Sequence, residues 1–410
     1  MSRRAYRLTV VGAGGVLAGY VLVTPQVAGA QHVPDFGAFF AVAHALRLQG
    51  WGALPHLYSL TFQVHAGAIF GRSHGLPYVE PFVATPPAAL LVLPFSLLPF
   101  WAAFYLWDAL LLGLGLWGAI WLARGEGLGR ASLPVALVAI ASFPTYQALG
   151  EGQFDLLWPL GLALFSSAWR CRPGWPRGAR SLAAALVFSL KPDLLLAAVV
   201  PAAHRWRDRR VQELAACLAA LGLISAVAIG VSGVRLLTML ESYTLYHRFP
   251  PVLDVTVLGV LWHTVGHGAL AVRLAWAATG IGVLALAWAW AKHPPRTAIE
   301  WKLALTSAVC ISLLVAPHDL PQGLLLLSGP AIWTASALLQ AGRSLGWFGA
   351  WVVIFNVGCL IDASPHVQLP VPITPELLLL GALVAWRARA QLGQAAEAPQ
   401  LNPVAAPAGS

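Results

Sequence analysis

The sequence predicts an all-α polytopic membrane protein, and three observations carry that expectation. Hydrophobic residues make up 58% of the 410 and charged residues only 10%, which leaves too little polar surface to cover a water-soluble globule. Apolar runs of roughly 17 to 23 residues recur from end to end, each long enough to cross a hydrocarbon core about 30 Å thick as a helix. The net charge of +9 resides in short connections between those runs, as in proteins whose basic loops set membrane orientation. No basic face interleaves with aromatics, so no nucleic-acid partner is expected.

In chain order, Arg3, Arg4 and Arg7 precede a first apolar run from Leu8 to Ala30. Its end, Ala28-Gly29-Ala30, resembles a signal-peptidase site, but the run is long for a signal core and many spans follow, so an uncleaved helix is expected. Residues 31–81, rich in His, Gly and aromatics, read as a non-cytoplasmic loop with interfacial amphipathic helices at Phe36 to Leu48 and Tyr58 to Phe70. Strong runs follow at 101–122, 132–149, 154–169, 181–203, 211–231, 268–291, 297–316, 320–340, 345–361 and 371–386. Those at 84–99 and 252–266 are short or proline-bearing and are expected not to cross. Residues 1–390 form one transmembrane domain on this reading, and the Ala/Pro-rich tail 391–410 is expected to be disordered and cytoplasmic.

Arginines test the orientation. Arg170, Arg172, Arg177 and Arg180 precede the run 181–203, and Arg205, Arg207, Arg209 and Arg210 follow it. One simple crossing would put one of those groups on the wrong face. A re-entrant hairpin broken at Lys191-Pro192-Asp193 removes the conflict, because Pro192 lacks an N–H and disfavours helical geometry at Lys191. About ten full spans then remain, with both termini cytoplasmic and Arg124, Arg130, Lys292, Arg296 and Lys302 among the inside charges.

The same topology gathers the polar clusters on the outer side: Asp35, the loop GEGQFD (150–155), ESYTLYHRFPPVLD (241–254), APHDLPQ (316–322) and IDASPH (361–366), with Lys191 pointing toward them from the hairpin tip. Ionisable groups at membrane depth are expensive unless paired or functional. Each also has an ordinary structural alternative. Asp35 suits the N-cap of the helix starting at Phe36, Gln153 and Asp155 suit a cap near Phe154, Lys191 can snorkel or pair with Asp193, and His318 and Asp319 suit a proline-flanked turn. Nucleotide-binding loops, nucleophile elbows and HExxH spacing are absent from the sequence. The four cysteines are far apart and lack metal-ligand spacing. No metal or cofactor is expected.

Asp35-Phe36 followed by Phe39-Phe40, Ala43, Leu46, Gly50 and Leu57-Tyr58 resembles the first-loop signature of GT-C class membrane glycosyltransferases. In order come Thr85-Pro86-Pro87 with Leu90, Pro94 and Leu98-Pro99, then Trp107, Gly152-Gln153, Lys191-Pro192 and Pro317-His318. The set is similar to the polyprenol-phosphate-mannose-dependent mannosyltransferases, glycosyltransferase family 87. It departs from that pattern at Asp155, where Asn is expected, and at Asp319, where the context is usually more aromatic.

The resemblance implies a GT-C-like fold and an inverting transfer of a hexose, mannose by preference, from a polyprenyl-phosphate donor to a lipid-linked or glycan acceptor at the outer membrane face. Asp35 matches the general base, with Lys191, Arg248 and His318 as donor-phosphate contacts. Gln153, Asp155, His247, Asp319 and Tyr58 are candidate substrate contacts. Two other classes fit the apolar pattern: a secondary transporter or flippase of a lipid-linked sugar, since broken helices also line transporter sites, and a non-catalytic membrane subunit.

Overall fold

The computed structural model describes residues 2–28, 35–74, 82, 84–171, 174–190, 209–234, 238, 256–266, 269–293, 295, 297–315, 321–340, 345–362 and 373–397. Among these the chain is helical and contains no strand. In order, α1 is Arg3–Ala28, α2 Phe36–Gln49, α3 Leu60–His74, α4 Pro86–Val92, α5 Phe100–Gly125, α6 Ser132–Ile140, α7 Phe143–Glu151 and α8 Trp158–Arg170. Then come α9 Trp175–Ser189, α10 Arg209–Ser232, α11 Val257–Val265, α12 Ala269–Lys292, α13 Ala298–Leu314, α14 Ser328–Gln340, α15 Gly346–Asp362 and α16 Ile373–Glu397.

Among the described residues, four stretches are long and apolar enough to cross a membrane: Arg3–Val23, Phe100–Gly125, Ala269–Lys292 and Gly323–Gln340. A fifth appears if α6 with the turn before it and α7, bent by 61°, count as one span. The sequence led us to expect about ten. Several of the apolar runs instead form shorter helices such as Phe154–Ala168, Gly349–Asp362 and Leu377–Trp386. Large apolar side chains lie exposed on α5 (Leu106, Trp117), α12 (Ile281, Leu284, Trp288) and α16 (Leu380, Leu383, Val384), a surface suited to lipid and costly in water.

The break between α6 and α7 has a local cause. Pro144 has no N–H to return to the Ile140 carbonyl, so the helix cannot continue. That carbonyl accepts instead from Ser142 N at 2.7 Å and Thr145 Oγ1 at 2.5 Å. The first amide of α7, on Phe143, donates to Asn356 Oδ1 of α15 at 2.6 Å. An unpaired amide at membrane depth costs several kcal/mol, so Asn356 serves as a cap supplied from another helix.

At the centre α5 crosses α8 closely. A Cβ on Gly115 or Gly118 would fall on the Leu156 carbonyl or the Leu160 backbone. Thr85 Oγ1 donates to the Ser189 carbonyl at 2.7 Å and lies 3.4 Å from that of Leu190, tying the start of α4 to the end of α9. α9 ends at Ser189. Residues 191–208, which hold the rest of the proposed hairpin, lie outside the described residues.

Two expectations are corrected. α2 is not amphipathic: Phe36 to Ala43, Ala45 and Leu46 are all buried, because this part of its sequence is apolar on every face. Lys302, within the expected run 297–316, lies in α13 and is 9% exposed. The C-terminal helix continues to Glu397, past the expected start of disorder at 391, since Ala, Gln and Glu favour helix up to the proline at 399.

Replacing Asn356 with Leu removes the cap of α7, and we expect a loss of about 1–3 kcal/mol of stability, read as a lower unfolding midpoint in detergent. An Asn356→Asp chain, which keeps the acceptor, should lose less.

Candidate functional site

The start of α2 and the end of α7 meet beside the N-terminal part of α5. Asp35 precedes α2 in the position of an N-cap, but its backbone is helical (φ −53°, ψ −29°) and its side chain makes no capping bond. The Asp35 carboxylate instead accepts a hydrogen bond from Gln153 Nε2, and its backbone N–H donates to Glu151 Oε2 at 3.1 Å. The capping alternative therefore fails for Asp35, and it fails equally for Gln153, whose side chain caps nothing.

Gly152 makes this meeting possible. It ends α7 at φ +66°, the left-handed region that glycine adopts without steric cost. A Cβ there would lie 2.7 Å from Phe36 Cβ and 3.1 Å from the Phe104 ring, so no other side chain fits unless α2 retreats. Trp107 Nε1 of α5 donates to the Gly152 carbonyl at 2.9 Å, and Gln153 N donates to the Ala148 carbonyl at 2.9 Å. With the turn held on both sides, Glu151 and Gln153 straddle it and reach Asp35 together.

Aromatic rings fix α2 just behind Asp35. The fully buried Phe36 lies 5.8–5.9 Å, ring to ring, from Phe40, Phe100, Phe104 and Trp107. Phe39 packs on Phe154 at 4.9 Å, one residue beyond Gln153. Such contacts add about 0.5–1.5 kcal/mol each beyond burial. A carboxylate placed this way has little positional freedom, which suits a reacting group.

The remaining expected residues divide. Tyr58 is 3% exposed, and its hydroxyl donates to the Ala84 carbonyl at 2.6 Å. Gln63 Nε2 joins the same region by donating to the carbonyls of Leu57 (3.1 Å) and Phe82 (2.9 Å). Asp155 is fully buried beneath the turn. Lys191, His247, Arg248, His318 and Asp319 lie outside the described residues. Sequence reasoning passed over Glu151, although it lies inside the quoted loop GEGQFD, and over Asp108, one residue after Trp107. Asp108 is 7% exposed and interacts electrostatically with Glu151. With Asp35 and Asp155, four acids thus lie around one turn. Among the described residues, no group of three His, Cys, Asp or Glu side chains could hold a metal ion.

A family profile, Glycosyltransferase family 87, matches residues 82–317, more than half of the chain. No curated protein and no solved structure matches. The matched stretch includes Thr85, Trp107 and the turn at Gly152, and it begins after Asp35. The Asp35–Gln153 bond therefore joins the matched stretch to the segment before it.

Gly152→Ala should separate α2 from α7. The expected loss is about 1–3 kcal/mol from strain and overpacking, measured by thermal unfolding, whereas Gly150→Ala, where a Cβ meets nothing within 4 Å, should be near neutral.

Proposed function

The chain belongs to glycosyltransferase family 87, and on that premise we propose that it is an inverting hexosyltransferase with Asp35 as its general base. The donor is a polyprenyl-phosphate sugar, mannose by preference, and the acceptor is a lipid-linked or glycan hydroxyl at the non-cytoplasmic face. The acceptor oxygen attacks the anomeric carbon, the bond from that carbon to the phosphate oxygen breaks, and the polyprenyl phosphate leaves. Asp35 takes the hydroxyl proton as the new bond forms.

The observation that carries this reading is the use made of the Asp35 side chain. It is withheld from the helix cap that chemistry and position offer it, and bonded instead to Gln153. A carboxylate oriented by an amide and seated on a rigid aromatic platform meets the positional demand on a base. Glu151 anchors its backbone. Tyr58, through Ala84, braces the segment leading to Thr85, and buried Asp155 supports the turn from below.

The leaving phosphate calls for positive charge, and Lys191 is the first candidate. It follows Leu190 directly, and the end of α9 is tied to Thr85. Arg248 and His318 are proposed as further phosphate contacts, with His247 and Asp319 beside the sugar. His318 rests on the family pattern, and Arg248, His247 and Asp319 rest on the polar segments 241–254 and 316–322 of the sequence. With both termini cytoplasmic, the Asp35 end of α5 faces outward.

Asp35→Asn should lower sugar transfer in proteoliposomes by about 10²–10⁴-fold with little change in KM, and its unfolding midpoint should stay close to that of the unmodified chain. Near-normal turnover in that variant would remove Asp35 from the chemistry. Gln153→Ala, which frees the carboxylate to wander, should cost about tenfold or more in kcat.

A further inference from the structure

At the other end of α5, about 39 Å along a helix of 26 residues, charged side chains surround a cavity of about 330 Å³. That volume lies within the range of small-ligand sites. Arg170 of α8 pairs with Glu126 Oε1 at 2.8 Å through Nη1, and the same nitrogen donates to Ser166 Oγ at 3.1 Å. Lys302 of α13 pairs with Glu126 Oε2 at 3.2 Å and donates to Ser336 Oγ at 2.8 Å. The Ser336 hydroxyl in turn donates to the Glu126 carbonyl at 2.6 Å, closing the ring onto the end of α5.

One carboxylate here faces two cations, so the cluster carries a net positive charge. Both cations keep donor capacity: Arg170 bonds among the described residues through Nη1 only, and Lys302 uses two of its three N–H groups. Glu126 and Lys302, 8% and 9% exposed, balance each other, while the Arg170 side chain, 38% exposed, carries the surplus charge where a charged headgroup can reach it. Trp301, Leu305 and Trp333 form the apolar part of the same wall. An occupant that suits all of this carries one negative charge, several acceptor oxygens and an adjoining apolar body.

We infer that this cavity binds the phosphodiester headgroup of an anionic membrane lipid. Arg170 and Lys302 hold the phosphate oxygens, and the tryptophans meet the glycerol and upper acyl chain. Its location fits, since a helix of this length ends where headgroups begin. The site is separate from the sugar-transfer site, and its test needs no transfer reaction.

The experiment reconstitutes the full chain in phosphatidylcholine and titrates phosphatidylglycerol, reading lipid retention by native mass spectrometry and the unfolding midpoint. A parallel titration uses inorganic phosphate. The unmodified chain should retain phosphatidylglycerol about tenfold or more in preference to Arg170→Gln, the loss expected for a hydrogen bond to a charged group. Lys302→Met alone would cancel the surplus positive charge of the cluster, so the second variant pairs Lys302→Met with Glu126→Gln, which removes one charge of each sign. It too should lose the preference while unfolding normally in phosphatidylcholine. Equal phosphatidylglycerol retention by all three chains, or occupation by inorganic phosphate in place of the lipid, would overturn the inference.

Discussion

The candidate site depends on one backbone geometry, the left-handed turn at Gly152. Two residues that flank it, Glu151 and Gln153, reach across 116 and 118 positions of sequence to hold the backbone and side chain of Asp35. Neither bond survives if the turn opens, and the turn stays closed because Trp107 holds its carbonyl and Phe36 fills the space where a Cβ would go. Local strain is cheap at glycine, so the stability of the site comes from packing around the turn.

That packing is itself a consequence of broken helices. A span that ran straight from Ser132 would carry the residues of α7 past the end of α2. Pro144 prevents it, and the 61° bend turns α7 so that its C-terminus lies beside α5. Breaking a helix in lipid releases backbone groups that water cannot satisfy. Ser142, Thr145 and the borrowed side chain of Asn356 take up those groups. Polar side chains within the apolar runs thus do structural work at the break, and Glu151 and Gln153 at the end of α7 hold Asp35.

The two ends of α5 treat charge differently. At one end, Asp35 is bonded to Gln153 and Glu151, and Asp108 interacts with Glu151. At the other, Glu126 is shared by Arg170 and Lys302 inside a ring of hydroxyls. A sugar transfer that proceeds at one face and a lipid headgroup held at the other would use the same helix as a ruler. Such a separation keeps the basic cluster out of reach of the base, and it requires only that the helix span the bilayer.

Much was legible in the sequence. Composition and run length determined an all-helical membrane protein, and the ordered motifs from Asp35 to Gln153 pointed to the family and to the acid at its outer loop. The short character of the segments at 84–99 and 252–266 was also readable, from proline and length alone. What the sequence did not decide is which residues meet. Periodicity reports one helix at a time, so it could not show that α2 is buried on every face, that Lys302 pairs with Glu126, or that Glu151 touches Asp35. Capping and catalysis suit the same residue type at the same position. Only the tertiary structure showed that the Asp35 carboxylate leaves its own helix cap for Gln153, because a hydrogen bond across more than a hundred residues depends on how helices pack and leaves no trace in local pattern.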